Sequence, residues 1–165
     1  MVARAVSGIV NSALVLVASR RASLGVYEDT SGPILAEGLR ALGFEVEVKV
    51  VDDGEPVADA LTQAIAQSIN LIITSGGTGL TPRDFTPEMT SRFIERSLPG
   101  IAEALRFDGI AQGIPTAALS RALAGIAKDS LIINVAGSQG AAKDAIRVLS
   151  PILVHAIDQM KGGDH

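Results

Sequence analysis

The chain has 165 residues, 47% hydrophobic and 19% charged, enough for one domain with a sizeable core and short for two. Eighteen acidic against 14 basic residues leave a net charge of −4, and one Tyr, four Phe and no Trp provide neither a basic footprint nor stacking aromatics for nucleic acid. Cysteine is absent and only two histidines occur, which excludes disulfides, thiolate zinc sites, a cysteine nucleophile and a histidine-rich metal centre, while leaving the redox compartment undecided.

Residues 1–11 show no periodicity and read as a flexible lead-in. Ala13–Ala18 is an unbroken apolar run. Arg4 before it and small residues after it faintly imitate a secretory signal, but the run is short and Arg20 and Arg21 make a poor cleavage context. It reads instead as a first core strand, with Leu14–Ala18 lacking the alternation of a half-solvated one, and the protein as cytoplasmic. Ser19–Pro33 is a polar loop ending in a helix start, with Ser31 as cap and Pro33 in the first turn. Ile34, Leu35, Gly38, Leu39 and Leu42 share one helical face, and Gly43 stands where a C′ glycine ends a helix. Phe44, Val46, Val48 and Val50 then alternate with Glu45, Glu47 and Lys49, which marks a strand solvated on one side at a sheet edge. Asp52-Asp53-Gly54 closes it at the carboxyl end, the side on which open α/β sheets hold ligands. Asp53 equally suits the cap of the helix that begins near Pro56.

Val57, Leu61, Ala64, Ile65 and Ser68 form the stripe of that helix, and Leu71-Ile72-Ile73 is a second unbroken strand run. A βαβαβ series of this kind implies right-handed crossovers and a sheet covered on both sides. The uncharged span from Ala60 to Pro82 contains Gln, Asn and glycines and splits into a helical and a strand half, so it is not a membrane span.

The strand runs into Thr74-Ser75-Gly76-Gly77-Thr78-Gly79. Glycines at 76, 77 and 79 permit positive φ and close backbone approach, so successive N–H groups can turn toward one phosphate. Arg83 can hold phosphate bidentately, and a carboxylate at Asp84, beside phosphates, suits a hydrated magnesium ion. The same residues also make a packing turn followed by an N-cap, a first-turn proline and a favourable dipole charge at Asp84, Thr86, Pro87 and Glu88. The loop is not a Walker A, since Leu80-Thr81 follows Gly79, and it lacks the third glycine of a dinucleotide fingerprint.

Beyond it, Met89, Phe93, Ile94 and Leu98 predict a helix over Pro87–Ser97. Pro99-Gly100 punctuates, and helical spacing resumes over Ile101–Ile110 with Arg106 as a solvated arginine by default. Ala117–Ile126 is helical by propensity alone. Lys128-Asp129 is a turn, Leu131–Val135 a buried strand, and Ala141–Leu149 a helix. Ser150-Pro151 is expected to interrupt before Ile152–Met160, and the charged tail over 161–165 to fray.

Three stretches together carry a specific resemblance. Thr74-Ser-Gly-Gly-Thr-Gly is followed after three residues by Arg83-Asp84 and after one more by Thr86-Pro87-Glu88. Upstream stands Ser19-Arg-Arg-Ala-Ser, then Gly25, Tyr27, Asp29 and Ser31-Gly-Pro33. Downstream stands Asn134-Val-Ala-Gly-Ser138. The pattern resembles the molybdenum-cofactor biosynthesis family that contains the Mog-type molybdopterin adenylyltransferases and the MoaB proteins, over Ser12 to Met160, as one domain spanning residues 12–160.

The resemblance implies a three-layer α/β/α domain with a mainly parallel sheet and one antiparallel strand, assembled as a homotrimer. It turns Ala117–Ile126, with its Leu-Ser-Arg motif, into an extended segment. It implies adenylyl transfer from Mg-ATP to molybdopterin, with Mg2+ as cofactor, ATP and molybdopterin as substrates, and the molybdenum insertion protein as a partner; neither nucleic acid nor membrane is involved. Asp53 and Asp84 would be catalytic and hold magnesium. Thr74, Ser75, Gly76, Gly77, Thr78, Gly79 and Arg83 would serve phosphate, while Ser23, Ser120, Arg121, Gly137 and Ser138 would contact pterin or phosphate, and Arg106 would reach anionic substrate. Three departures stand out: Arg20 replaces an Asp, and Ala136 and Gln139 replace prolines, which loosens that loop. They leave open a MoaB-like protein that binds without efficient turnover, and a structural or carrier subunit.

Overall fold

The three apolar runs lie side by side at the centre of one six-stranded sheet. The computed structural model describes residues 10–164. All of the expected lead-in but Val10 and Asn11 lies outside the described residues, as does His165 of the tail. Strands β1 (Ser12–Ala18), β3 (Leu71–Ser75) and β6 (Ser130–Val135) are buried along almost their whole length. The order is β2-β1-β3-β6-β5-β4, with β2 (Glu45–Val51) at one edge and β4 (Arg96–Ser97) at the other, beside β5 (Ala124–Ala127). The β2, β1, β3 and β6 pairings are parallel, and β5 alone runs against its neighbours, pairing antiparallel with both β6 and β4. The alternating strand is thus the edge strand, as its pattern requires.

Successive side chains of the central strands feed two cores, because a strand has period two. Val15, Val17, Leu71, Ile73, Leu131 and Ile133 pack with Leu35 and Leu39 of α2 (Ser31–Ala41) and Leu149 and Leu153 of α6 (Gln139–Met160). Ile101 and Leu105 of α5 (Pro99–Ala111) join that side. Leu14, Leu16, Ile72 and Ile132 meet Val57 and Leu61 of α3 (Glu55–Ala66) and Met89 of α4 (Thr86–Ser91) on the other. Helices therefore cover both faces in three layers. A Cβ at Gly38 would stand 2.6 Å from the Ile146 side chain, so this glycine lets α2 and α6 approach closely. Gly43, at φ +90, closes α2 as expected, and Lys128, at φ 51, makes the turn between β5 and β6. Among the described residues no helix is long and apolar enough to cross a membrane.

Several local expectations yield to tertiary contacts. The helix predicted over Pro87–Ser97 stops at Ser91, because Glu95 and Leu98 donate their N–H groups to Ile126 and Ala124 and the chain becomes β4. Gly125 makes room for this strand, since a Cβ there would stand 2.5 Å from Ile94 and 2.7 Å from the Arg96 carbonyl. Pro99 does not merely punctuate; it is the first residue of α5, where its missing N–H costs nothing. Of Ala117–Ile126, the first part is a 3-10 turn over Pro115–Leu119 and only the strand from Ala124 joins the sheet.

Pro151 sits inside α6 without breaking it. Leu149, Leu153 and Ile157 on the same helix are fully buried, and burial of about 1.5–3 kcal/mol per such side chain outweighs the roughly 3 kcal/mol cost of an interior proline. After Met160 the N–H groups of Lys161, Gly162 and Gly163 still donate to the last helical carbonyls. The 19–33 loop holds an unpredicted helical turn, α1 (Arg20–Ser23), capped by the Ser19 hydroxyl. α2 is capped by Asp29, which accepts from the N–H groups of Ser31 and Gly32, rather than by Ser31. Ser68 lies past the end of α3 in a left-handed turn, off the stripe expected of it.

Candidate active site

Parallel strands in register deliver their following loops to one edge of the sheet. Ala18 lies opposite Val51, and Ser75 opposite Val17 and Val135, so the segments after β1, β2, β3 and β6 emerge together. The glycine loop settles onto them. Gly76 donates its N–H to the Val135 carbonyl at 2.9 Å, and a Cβ on it would stand 2.4 Å from the Ala18 carbonyl oxygen. On Gly77, at φ +66, a Cβ would stand 2.2 Å from Thr86 Oγ1 and 2.3 Å from Asp53 Oδ2. No other residue fits at either position. Gly137 completes the packing, its Cβ position 3.1 Å from Gly76 Cα. Gly79, by contrast, has no positive φ, and what it avoids is Asp84, 2.9 Å from its Cβ position.

Both predicted carboxylates border this loop. Asp53 Oδ1 accepts from the Gly54 N–H at 2.7 Å and from Thr86 Oγ1 at 2.9 Å, and Oδ2 accepts from the Phe85 N–H at 2.9 Å. The Thr86 N–H donates in turn to the Gly77 carbonyl at 3.1 Å. Asp53 does not cap α3, whose N-cap is Gly54 with no side-chain bond; it ties the start of α4 to the sheet edge. Asp84 Oδ2 accepts from the Thr81 N–H at 2.9 Å while its own N–H returns to the Thr81 carbonyl at 3.1 Å, closing a tight turn.

Asp53 Oδ2 and both oxygens of Asp84 keep acceptor capacity beyond these bonds, and they are hard oxygen donors suited to magnesium. Among the described residues no three acidic or histidine side chains gather into a metal cluster. The donor set therefore fits an ion held by one or two carboxylates together with substrate phosphates, the usual magnesium arrangement.

Next to the loop opens a cavity of about 480 Å³, within the usual size range of small-molecule sites. Leu80, Ala102, Leu105, Ile114 and Leu119 give it an apolar wall, and Thr78, Ser120 and Ser138 bring hydroxyls. The Ser120 hydroxyl donates to Thr78 Oγ1 at 3.3 Å, and Ser138 caps α6 by accepting from the Ala141 N–H at 3.1 Å. Thr78, Gly79, Ser120 and Ser138 are thus brought together at one site.

Other predicted site residues stand elsewhere. Thr74 and Ser75 are fully buried in β3, where Thr74 Oγ1 accepts from Asn134 and the Ser75 hydroxyl donates to Ser31. Their hydroxyls bond within the core and are not part of the cavity wall. Ser23 is exposed, bonded to the Arg20 carbonyl in its own helical turn, outside the cavity wall. Arg83 is exposed on the Thr81–Asp84 turn, its N–H reaching Thr81 Oγ1 at 3.3 Å. Arg121 is not part of this cavity's wall; it donates to the carbonyls of Gly79 and Asp84 and to Glu88, and with Thr81, Asp84, Phe85 and Glu88 it lines a second depression beside the loop.

Arg106 is not a solvated surface arginine. It lines the cavity and donates to the Ser120 and Ala122 carbonyls at 3.1 and 3.0 Å, fixing the Ser120 segment. Sequence reasoning missed Asp144 and Asn134 as wall residues. Asp144 stands three residues after Ala141, so both share one helix face, a spacing visible in the sequence. Asn134 is a polar residue in a buried run, itself a signal. Its side chain bonds Thr74, Thr90 and the Leu123 N–H, joining β3, α4 and the approach to β5. Arg147 donates to both oxygens of Asp108 and to Asp144, linking α5 to α6 across the cavity's outer side. That contact holds the Asp108 carboxyl below its ordinary range, first through the hydrogen bonds and then through the guanidinium charge.

Residues 14–155 match the family described as "probable molybdopterin binding domain". A molybdenum cofactor biosynthesis bifunctional protein of Chlorobaculum tepidum is 40% identical over 153 residues, 92% of this chain and 49% of that protein. The chain thus spans about half the length of that relative. A molybdopterin adenylyltransferase of Helicobacter pylori is 37% identical over 154 residues, 90% of this chain and 86% of its own. The solved molybdopterin biosynthesis Mog protein of Mycobacterium ulcerans superposes with a TM-score of 0.87 at 46% identity, covering 91% of this chain and 99% of that one.

Proposed function

The chain belongs to the molybdopterin-binding domain family of molybdenum cofactor biosynthesis, and on that premise we propose that it is a molybdopterin adenylyltransferase. The reaction is transfer of the adenylyl group of Mg-ATP to molybdopterin. A phosphate oxygen of the pterin bonds to the α-phosphorus of ATP as the bond from that phosphorus to pyrophosphate breaks, and the products are adenylyl-molybdopterin and pyrophosphate. Such a reaction asks the protein mainly for positioning and charge neutralisation.

The observation that carries the reading is the junction of a glycine loop, bordered by two carboxylates, with a cavity whose other wall is apolar. The apolar wall suits a flat heterocycle, and the hydroxyls of Thr78, Ser120 and Ser138 suit its polar edge or the phosphates. Asp53 and Asp84 would hold magnesium, which when bound neutralises phosphate charge. The protein works as a cytoplasmic homotrimer that hands its product to the molybdenum insertion protein.

Incubation with molybdopterin, ATP and magnesium, followed by mass detection of the pterin, tests this directly. Adenylylated pterin is the expected product; pterin recovered unmodified from a folded, pterin-binding protein contradicts the reading. One observation favours the alternative of a binding protein without efficient turnover: Asp53 already accepts three protein hydrogen bonds, as a purely structural acid would. The same experiment decides between them.

A further inference from the structure

Resting on that reading, we infer that Arg121 is a positioning residue that fixes the glycine loop and Asp84 through their backbone carbonyls, rather than a ligand of phosphate. Among the described residues, every hydrogen bond that leaves the segment 78–84 ends on Ser120 or Arg121. The Arg121 N–H donates to the Thr78 carbonyl at 2.9 Å. Its Nε donates to the Gly79 carbonyl at 2.8 Å and its Nη2 to the Asp84 carbonyl at 2.8 Å. Nη1 pairs with the Glu88 carboxylate on α4. The remaining bonds of the segment, between Thr81, Arg83 and Asp84, are internal to the turn and fix its shape but not its place.

A guanidinium is suited to this task because its N–H groups point in several fixed directions of one plane, whereas an ammonium is a compact charge whose three donors rotate on a flexible stem. Glu88 is the counter-charge that holds the plane in register. Arg121 therefore transmits the position of the Ser120 segment, itself held by Arg106, to the carboxylate at Asp84. The side chain is one-third exposed, so its effect lies in geometry more than in buried charge.

The test compares the whole protein with Arg121→Lys and Glu88→Gln. In ligand-free protein, amide hydrogen exchange at Thr81 should speed up on the order of tenfold in Arg121→Lys, with β3 amides unchanged, as expected when a segment loses charge-assisted anchors. Glu88→Gln should move Thr81 in the same direction by less. In the transfer assay both variants should need more magnesium and lose kcat, with KM for molybdopterin within about twofold of wild type.

A phosphate-binding Arg121 gives a different pattern: Thr81 exchange unchanged, KM for ATP raised in Arg121→Lys alone, and Glu88→Gln equal to wild type. That pattern overturns the proposal. Loss of β3 protection in Arg121→Lys passes the decision to Glu88→Gln, which leaves the arginine in place. If wild type transfers nothing, the functional reading fails, while the exchange comparison still decides the role of Arg121.

Discussion

At the scale of single residues, the two carboxylates differ in what they already do. Asp53 accepts three hydrogen bonds, two of them from the start of α4, so Asp53→Asn turns an amide NH2 or a poorer acceptor toward donors and should destabilise by about 1–3 kcal/mol, seen as a lower Tm. Asp84 accepts one bond, which an Asn oxygen can replace. Asp84→Asn should therefore fold and bind pterin normally, yet lose roughly 100-fold in single-turnover transfer, about 2.7 kcal/mol of barrier. Unchanged turnover in folded Asp84→Asn protein would remove it from the chemistry. Gly77 offers the steric counterpart. A methyl at that position meets Thr86 and Asp53 and the backbone is left-handed, so Gly77→Ala should cost stability and activity together, by melting curve and assay. Part of the candidate site was legible in the sequence: the glycines, Asp53 and Asp84 meet at one loop, and Ser138 lines the cavity beside it. Direction of side chains was not. Thr74 and Ser75 stand in the same motif as Thr78, yet they point to opposite faces of a strand covered on both sides and neither lines the cavity, and the partners of the Arg121 guanidinium, two carbonyls and a carboxylate, lie far from it in sequence.

At the scale of elements, the apolar runs at β1, β3 and β6, the alternating edge strand and the C′ glycine of α2 were legible because local pattern and tertiary role agree. The β4 pairing and the unbroken α6 were not, because they depend on partners distant in sequence: Gly125 for β4, and the β-sheet face that buries Leu149 and Leu153 for α6. The walls of the cavity depend on such a distant contact too. Arg147 on α6 grips Asp108 on α5 and lowers its carboxyl pKa from the ordinary 3.8. A carboxyl depressed in the folded state adds stability above its unfolded pKa and loses it as pH falls through the folded value. Asp108→Asn should accordingly lower Tm slightly at neutral pH, and the difference from wild type should shrink as pH falls below the ordinary carboxyl pKa and disappear once the folded Asp108 is protonated. A difference that persists undiminished in acid would show that the contact works through shape rather than charge.

At the scale of the molecule, the helix and turn beside the cavity expose several large apolar side chains. Phe107, Ile110, Ile114 and Leu119 on α5 and the following turn are all exposed, Phe107 by 74%. The proposed homotrimer would cover surface of this kind, and on that proposal sedimentation at micromolar protein should give a mass near three times 17.0 kDa. A monomer would contradict that assembly. The central claim, however, is chemical: the cavity and the glycine loop join molybdopterin to the adenylyl group of ATP. The most direct measurement is a single turnover with ATP labelled separately at the α- and γ-phosphates, in the presence of molybdopterin and magnesium. The account predicts that α-label moves into the pterin as γ-label appears in pyrophosphate, in equal amounts. Release of γ-label as orthophosphate, or pterin that stays unlabelled while bound, would contradict it.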